Sequence, residues 1–416
     1  MKRRNACFVM LMFSVLLLCA GVPAYGERTV GNLSMPGVKP WKEEDGQIYV
    51  SLPLSHYRHK TIRLWQNVQE EKYYLFLPAF WQAGDGLKLW TKDRAALSID
   101  GVSLPSGKTD RLDPGLHSLE INGHSYVLEV MASANIPALF IDMDGGKLEA
   151  LWTKPYTQQA GAEAMLVDTD GLVEMEGRIA GLRVRGNTSA DWVKKPYQMT
   201  MSQSVDILGM GSAIKWNLLS NWSDRTLLRN KITYDMAAAA GMPYSPESQF
   251  VDLYLNGSYE GCYQICEKVE IGQSRVDIRN LEAYTLYEPS QEERDLETIA
   301  ELTKEDPAAG GVEVLENGIS LRGYDTQIGT DDVTGGYLLE IERPSRIYAS
   351  ASFFITRNGQ PVTVKRPKYA DSREVEYIAG VWQTFEDALY AEDGINPGTG
   401  VHYTEYIDRD SFVNKY

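Results

Sequence analysis

The sequence has few of the residues that build disulfide frameworks and zinc sites. Its 416 residues include 4 cysteines and 5 histidines, and no cluster of them has zinc-ligand spacing. Cys7 and Cys19 fall in the N-terminal apolar segment. Cys262 and Cys266 lie on one expected strand, roughly 13 Å apart, which is too far for a disulfide bond. We therefore expect two buried free thiols, and stability that comes from packed cores.

The sequence also lacks an excess of positive charge. Its formal net charge is −16, which disfavours a nucleic-acid surface or an anionic-membrane surface, so we expect no nucleic-acid partner. Hydrophobic residues make up 43% and aromatic residues 10% of the chain, enough for packed cores and against global disorder. A chain of this length is expected to hold two or three domains.

The apolar run at the N-terminus is short for a membrane-spanning helix. Lys2, Arg3 and Arg4 precede the run at 8–20, and Ala24-Tyr25-Gly26 follows it, which is the layout of a secretory signal peptide. We expect residues 1–26 to be removed, leaving a secreted or cell-surface protein that does not span the membrane. Lipidation of Cys19 and an uncleaved anchor are the alternatives.

Residues 27–135 read as an all-β domain. Short alternating runs are separated by Gly, Pro and Asp turns, and the dipeptides Asp100-Gly101 and Asn122-Gly123 are typical of tight hairpins. This pattern predicts a small β-sandwich. A second domain with both strands and helices follows over residues 136–416, so the expected fold class is α+β.

The stretch 183–200 organises this second domain. Alternation around Val184, and again from Tyr197 to Met199, predicts two strands joined by a polar turn at 186–189. The turn lacks the spacing of a P-loop and the three glycines of a dinucleotide-binding loop. A small polar loop with free N–H groups and nearby lysines can hold a phosphate chain. On this stretch alone, however, an ordinary hairpin is favoured.

Several later elements are also readable. Residues 225–240 predict the clearest helix, and we expect Leu228, Ile232 and Met236 to form its buried stripe. Asn256-Gly257 predicts a β-hairpin turn. Residues 281–333 are rich in Glu, Asp, Gln and Gly and read as an acidic surface insertion.

A carboxylate pair on a later strand raises a separate alternative. Glu340 and Glu342 alternate onto one strand face, which raises the alternative of a glycosidase carboxylate pair. Neighbouring positions on one strand do not flank a glycosidic bond, so we expect solvated or ion-paired glutamates instead.

Six segments follow one another in a recognisable order between residues 136 and 416. They are Arg185-Gly-Asn-Thr-Ser, Lys194-Lys-Pro-Tyr, Trp216-Asn-Leu-Leu-Ser-Asn-Trp-Ser-Asp-Arg-Thr-Leu-Leu-Arg-Asn-Lys, Tyr254-Leu-Asn-Gly-Ser-Tyr-Glu-Gly-Cys-Tyr-Gln-Ile-Cys-Glu-Lys, Thr334-Gly-Gly-Tyr-Leu-Leu-Glu and Tyr406-Ile-Asp-Arg-Asp-Ser-Phe. This ordered set resembles the CotH family of spore-coat-H-like atypical kinases. Residues 27–135 fall outside the resemblance.

The resemblance implies a distant, pared-down protein-kinase fold that binds ATP with a divalent metal, Mg²⁺ or Mn²⁺. Some members of the family phosphorylate spore-coat proteins, so it also implies a protein substrate or a surface or coat protein as partner. By match, the phosphate-covering loop would consist of Arg185, Gly186, Asn187, Thr188 and Ser189.

The resemblance assigns roles to further residues. Lys194 or Lys195 would contact the α- and β-phosphates, and Lys194 is favoured as the first of the pair. The helix at 225–240 would take the place of the kinase αC helix, with Arg229 and Asn230 as phosphate contacts or structural anchors. Glu267 would end the strand leading toward the nucleotide-binding hinge.

The chain departs from the family pattern at its end. In the family, the acidic residues that hold metal and act at the transferred phosphoryl group follow the Ile-Asp-x-Asp-Ser-Phe segment, and this sequence stops at Tyr416. It contains no Trp-Asp dipeptide. Since phosphoryl transfer depends on metal and its carboxylate ligands, we expect a C-terminally truncated kinase-like domain, with no catalytic or metal-binding residue, that is inactive by itself.

Two functions therefore stay open. The first is a secreted CotH-type protein kinase that transfers phosphate from ATP to Ser or Thr hydroxyls of a protein. The second is a non-catalytic cell-surface or spore-coat protein that uses the same scaffold for binding.

Overall fold

A computed structural model describes residues 46–54, 59–81, 86–104, 108–109, 112–285, 290, 295–325 and 328–407. The signal peptide expected at 1–26 and the segment after residue 407 lie outside the described residues. The mixed α+β class is confirmed. The chain forms two compact units, a first unit within Arg28–Met236 and Pro246–Lys268 and a second unit within Ala237–Ser245 and Val269–Tyr416. The domain boundary expected after residue 135 stays a prediction.

The N-terminal part of the first unit consists of two sheets. Their strands are β1 Ile48–Pro53, β2 His59–Arg63, β3 Trp65–Asn67, β4 Lys72–Leu77, β5 Leu87–Thr91, β6 Leu97–Ile99, β7 Val102–Ser103, β8 Lys108–Thr109, β9 Gly115–Ile121 and β10 His124–Ala132. The sheet orders are β2-β1-β5-β8 and β3-β4-β10-β9-β6-β7. The Asp100-Gly101 and Asn122-Gly123 dipeptides have positive φ at both residues, as type I′ hairpin turns require, so this prediction is confirmed.

The rest of the first unit is built around a closed barrel. Its strands are β11 Ala138–Asp142, β12 Ala162–Val167, β13 Val173–Val184, β14 Tyr197–Asp206, β15 Ser212–Leu219, β16 Ser248–Leu255 and β17 Ser258–Glu267. They are ordered β11-β12-β13-β14-β15-β17-β16, and a parallel pairing of β11 with β16 closes the barrel. Helix α1, Gly145–Trp152, follows β11. The interior is filled by buried side chains that include Met199, Trp216 and Ile265.

The two N-terminal sheets and the barrel share a hydrophobic core. The apolar faces of both sheets form one cluster, and that cluster continues onto the outer face of β11, β12 and β16. Phe140 of β11 stacks on Tyr254 of β16, with ring centroids 4.9 Å apart. The sheets and the barrel therefore pack against each other through a common hydrophobic core and are not separate domains joined by a linker.

The second unit contains an antiparallel sheet with a helix packed against it. Its strands are β18 Glu313–Val314, β19 Ser320–Arg322, β20 Leu338–Ile341, β21 Ser352–Ile355 and β22 Pro361–Arg366, in the order β18-β19-β21-β22-β20. Residues 281–333, read from the sequence as a surface insertion, contribute β18, β19 and the buried Leu281, Ile319 and Leu321 to this sheet and its core. Glu340 forms an ion pair with Lys365, which confirms the expectation of an ion-paired glutamate.

The remaining helices and short 3₁₀ turns complete the fold. Helix α2 is Arg229–Ala239, α3 is Leu296–Glu305 and α4 is Ser372–Tyr390; the 3₁₀ turns are Thr188–Asp191, Leu281–Tyr284, Ile347–Ala349 and Tyr403–Glu405. Helix α4 begins with a capping box between Asp371 and Glu374 and buries Val375, Ile378 and Trp382 against the sheet. In the part of the chain that the structure describes, no helix has the length and apolarity needed to cross a membrane.

Helix α2 corrects one expectation. Leu228, Ile232 and Met236 are 45%, 51% and 60% exposed, so the predicted buried stripe is wrong. Polar contacts hold the start of the helix instead: the Asn230 amide donates to Asn221 Oδ1, and the Asp224 carboxylate accepts from the backbone N–H of Arg229. The contacts at the start of the helix are therefore polar, and its apolar stripe is exposed.

Candidate functional site

The loop between β13 and β14 has a shape that only glycine permits at one position. Gly186 has φ +88°, and a Cβ added there would lie 2.1 Å from Ser189 Oγ. A 3₁₀ turn, Thr188–Asp191, follows directly. The loop thus folds back on itself, with the side chain of Ser189 packed against the Cα of Gly186.

The loop presents backbone donors that the chain leaves unused. The N–H groups of Gly186, Asn187, Thr188 and Ser189 form no hydrogen bond within the described residues. Gly186, Asn187 and Thr188 are exposed, and the guanidinium of Arg185 likewise has no ion pair or hydrogen bond in the described part of the chain. Successive free N–H groups beside a cation form a concavity that suits an anion.

Lys195 forms a hydrogen bond next to this loop. Its Nζ donates to the Ala190 carbonyl at 2.8 Å and lies 4.9 Å from the ring centroid of Tyr156. The Tyr156 hydroxyl in turn donates to Asp191, which is also paired with Lys154 at 2.7 Å. The ammonium of Lys195 is therefore hydrogen-bonded to the residue that directly follows the loop, Ala190.

Lys194 lies elsewhere, against the first half of β17. Its Nζ donates to the Cys262 carbonyl and lies 4.4 Å from the ring centroid of Tyr263. Gly261 makes room for it, since an added Cβ would stand 3.3 Å from the end of the lysine chain. Burial lowers the pKa of Lys194, while nearby Cys262, Glu260 and Asp252 oppose the shift. The structure thus brings Lys195 to the loop and places Lys194 on the barrel wall.

The other expected residues have mainly structural contacts. Asn230 belongs to a chain of amides, because Asn221 also donates to Gln264 Oε1. The Arg229 side chain is exposed, and its Nε atom lies 3.6 Å from Asp224 Oδ1. Glu267 ends β17, and its carboxylate accepts from the backbone N–H of Glu247.

Sequence reasoning missed a polar row on the outer face of the barrel. Cross-strand register aligns Arg183 with Gln198, Gln198 with Asn217 and Asn217 with Cys266. Gln198 and Asn217 are each only 7% exposed. The signal was present in the alternation of β13 and β14, which turns Tyr197 and Met199 inward and must turn Arg183 and Gln198 outward.

The described residues contain no ligand set for the metal that the resemblance implies. Among the described residues, no group of three or more His, Cys, Asp or Glu side chains could hold a metal ion.

Comparison with known proteins assigns the chain. The family model described as CotH kinase protein matches residues 182–416, more than half of the sequence. The chain belongs to the CotH kinase family. The CotH match begins at the end of β13, so it includes the 186–189 loop, both lysines, β14 to β17 and the second unit. A search of curated proteins found no match.

Proposed function

We propose that the loop at 185–189, together with Lys195, binds the phosphate chain of ATP. The observation that carries this proposal is the run of unused N–H groups from Gly186 to Ser189 beside Arg185 and Lys195. Phosphate oxygens accept hydrogen bonds from such N–H groups, and the neighbouring cations offset the charge of the anion. The strongly negative chain would otherwise repel ATP, so a local positive site is needed.

We propose further that this grip serves protein phosphorylation. In that reaction, the oxygen of a Ser or Thr hydroxyl forms a bond to the γ-phosphorus and its proton passes to water, while the bond from the γ-phosphorus to the bridging oxygen breaks and ADP leaves. Membership of the CotH kinase family supports ATP, a divalent metal and a protein substrate. The described residues would position the nucleotide and offset its charge. We also propose that the protein is exported to the cell surface.

Calorimetric titration of the purified chain with ATP tests the grip. We expect Lys195→Ala to weaken ATP binding about tenfold, since one charge-assisted hydrogen bond is worth roughly 1.5 to 3 kcal/mol. We expect Lys194→Ala to weaken binding less, because its Nζ lies against β17 at the Cys262 carbonyl rather than at the turn next to the loop. Lys88→Ala is the matched control, since Lys88 is an exposed lysine of β5.

Two results would contradict the proposal. One is an unmodified chain that binds neither ATP nor inorganic tripolyphosphate. The other is an equal loss of ATP affinity in Lys195→Ala and Lys88→Ala. Lys195 would then act only through the net charge of the chain and not through a contact with ATP.

A further inference from the structure

The imidazole of His117 on β9 lies between two groups that accept hydrogen bonds. Its Nδ1 atom is 2.8 Å from Asp100 Oδ2, and its Nε2 atom is 2.8 Å from the Asp113 carbonyl oxygen. The His117 side chain is only 16% exposed. Because a carboxylate and a carbonyl supply no hydrogen, both ring nitrogens must donate. The ring that satisfies both contacts is therefore the doubly protonated, cationic form.

Asp100 connects this contact to the β6–β7 hairpin, because it is the first residue of the Asp100-Gly101 turn. Its other carboxylate oxygen, Oδ1, accepts from the backbone N–H of Ser118 at 2.9 Å. At the opposite end of β6 the contacts are uncharged. There the backbone N–H of Ala96 donates to Asn122 Oδ1, and the backbone N–H of Asn122 donates to the Ala96 carbonyl. The charged contact of the hairpin thus lies at its turn.

The β6–β7 hairpin is the edge of its sheet and is weakly paired. Strand β6 pairs with β9 through Leu97, Ser98 and Ile99, and β7 pairs with β6. Leu97, Ile99 and Leu104 are buried in the core, but Val102 is 64% exposed. A short edge hairpin opens more easily than the central strands of a sheet. A single contact at its turn therefore has a measurable effect on its opening.

Loss of one proton from His117 is incompatible with both contacts. A neutral imidazole keeps one N–H and turns the other nitrogen into an acceptor. That nitrogen would face Asp100 Oδ2 or the Asp113 carbonyl, so two acceptors would meet and one contact would be lost.

The charged groups around His117 favour the cation. They are Asp100 at the turn and Asp113 in the segment before β9, and both act on His117 as negative charges. On the neighbouring strand β10, the residue in register with His117 is the uncharged Leu128. On β9 itself, the Glu120 carboxylate accepts from the Ser98 hydroxyl.

We propose that His117 is a pH-dependent switch: its cationic form holds the turn of the β6–β7 hairpin against β9, and its neutral form releases that turn. Burial by itself lowers the pKa of His117, but the hydrogen bonds to Asp100 and Asp113 and their charges outweigh it, so the pKa is raised above its ordinary value of 6.5. The hydrogen bond from His117 lowers the pKa of Asp100. The contact is therefore fully present below about pH 6.5 and is lost as pH rises through the higher pKa of the folded state.

Hydrogen exchange of the full chain between about pH 6 and pH 9 tests the switch, after correction for the intrinsic pH dependence of amide exchange. In the unmodified chain, the opening equilibrium of the β6–β7 amides should rise about two- to fivefold relative to that of the β4 amides, the size expected for a partly exposed ion pair.

Asp100→Asn removes the charge and keeps the turn, since Asn-Gly also suits positive φ at both positions and its side-chain oxygen still accepts from Ser118. This variant should lose most of the pH dependence. Asp93→Asn is the matched control, since Asp93 is an exposed aspartate after β5, and its pH dependence should equal that of the unmodified chain.

An NMR titration of the chain with isotope-labelled histidine follows the proton itself. The His117 signal, identified by its loss in His117→Gln, should titrate above pH 6.5 in the unmodified chain and at a lower pH in Asp100→Asn. A His117 signal that titrates at or below pH 6.5 overturns the proposal. Hairpin opening that does not change with pH relative to β4, or that changes equally in Asp100→Asn and the unmodified chain, also overturns it. The exchange experiment decides the question even if His117→Gln does not fold.

Discussion

At the scale of single residues, Gly186 determines the backbone conformation of the proposed phosphate loop. Its φ of +88° is strained for any side chain, and an added Cβ would overlap Ser189 Oγ. We predict that Gly186→Ala weakens ATP binding at least tenfold and lowers the free energy of unfolding by about 1 to 3 kcal/mol. Calorimetry and chemical denaturation measure the two effects.

The control for Gly186 separates backbone strain from loop shape. Gly209 also has positive φ, but an added Cβ there meets nothing within 4 Å. Gly209→Ala should therefore cost stability without weakening ATP binding. If Gly209→Ala weakens binding as much as Gly186→Ala does, the loop is not the binding element.

Glu260 on β17 gives the first unit a pH-dependent stability. Burial raises its pKa from 4.5 to about 7, although Arg63, Ser258 and Lys194 pull the other way. A raised carboxyl pKa means that the folded state holds the proton more tightly than the unfolded state. The contribution of Glu260 to stability is therefore fully present below about pH 4.5 and is lost as pH rises toward 7.

Comparison with Glu260→Gln isolates this effect from other titrating groups. The difference in unfolding free energy between the unmodified chain and the variant should decline from pH 4.5 to pH 7 and be level above and below that window. Denaturant titrations at several pH values give the difference. A difference that stays constant across the window would show that the Glu260 pKa is close to its ordinary value.

Some site residues can be read from sequence and others cannot. Gly186 and the two lysines stand out because turn chemistry and adjacent charge are local signals. Gln198 and Asn217 look like ordinary outward positions of two strands, and only cross-strand register shows that they are neighbours. Register depends on the turn and on strand pairing, which a single sequence specifies weakly.

At the scale of elements, α2 shows that a periodic pattern predicts a shared face but not its direction. Leu228, Ile232 and Met236 do lie on one side of the helix, and that side is exposed. The deciding contacts are polar and come from Asn221, which bonds to Gln264, Asn230 and the Leu227 carbonyl. By contrast, the Asn256-Gly257 hairpin was predicted correctly, because both residues must adopt positive φ and few residue types do so.

We predict that α2 depends on Asn221 rather than on its apolar stripe. Asn221→Ala should lower the free energy of unfolding by about 2 to 4 kcal/mol, because it removes buried hydrogen bonds and places Ala at φ +48°. Ile232→Ser should change it by less than about 0.5 kcal/mol, since the side chain is half exposed. Denaturant unfolding measures both values.

Asn221→Gly separates the two causes in this prediction. Glycine tolerates the positive φ but supplies no side-chain hydrogen bonds, so it should recover part of the loss. If Ile232→Ser proved more destabilising than Asn221→Ala, the apolar stripe would have to be covered in solution, contrary to the orientation described above.

At the scale of the whole molecule, barrel closure is the feature that local sequence patterns could not supply. Strands β11 and β16 pair in parallel although more than a hundred residues separate them. Alternation identified each strand but not its partner, because long-range pairing leaves no signal within a short window. The core shared by the barrel and the sheets could not be predicted for the same reason. Phe140 and Tyr254 lie on the outer face of the barrel, where they are buried in the hydrophobic core of the N-terminal sheets.

This shared core leads to a prediction about cooperativity. Phe140 is 1% exposed and stacks on Tyr254, whose hydroxyl donates to the Phe76 carbonyl of β4. We predict that Phe140→Ala costs about 3 to 5 kcal/mol, from lost burial and the cavity left behind. Tyr254→Phe should cost only about 1 kcal/mol, since it removes a single hydrogen bond.

Hydrogen exchange read by mass spectrometry distinguishes one cooperative body from two. Peptides from β4 and β10 report on the N-terminal sheets, and peptides from β14 and β15 report on the barrel. Because the cluster joins both, Phe140→Ala should lower protection in the two sets by the same free energy. If only the barrel peptides lose protection, the sheets fold independently and the shared cluster contributes little coupling. Tyr254→Phe, which keeps the stacking but not the hydrogen bond, should shift both sets together by the smaller amount.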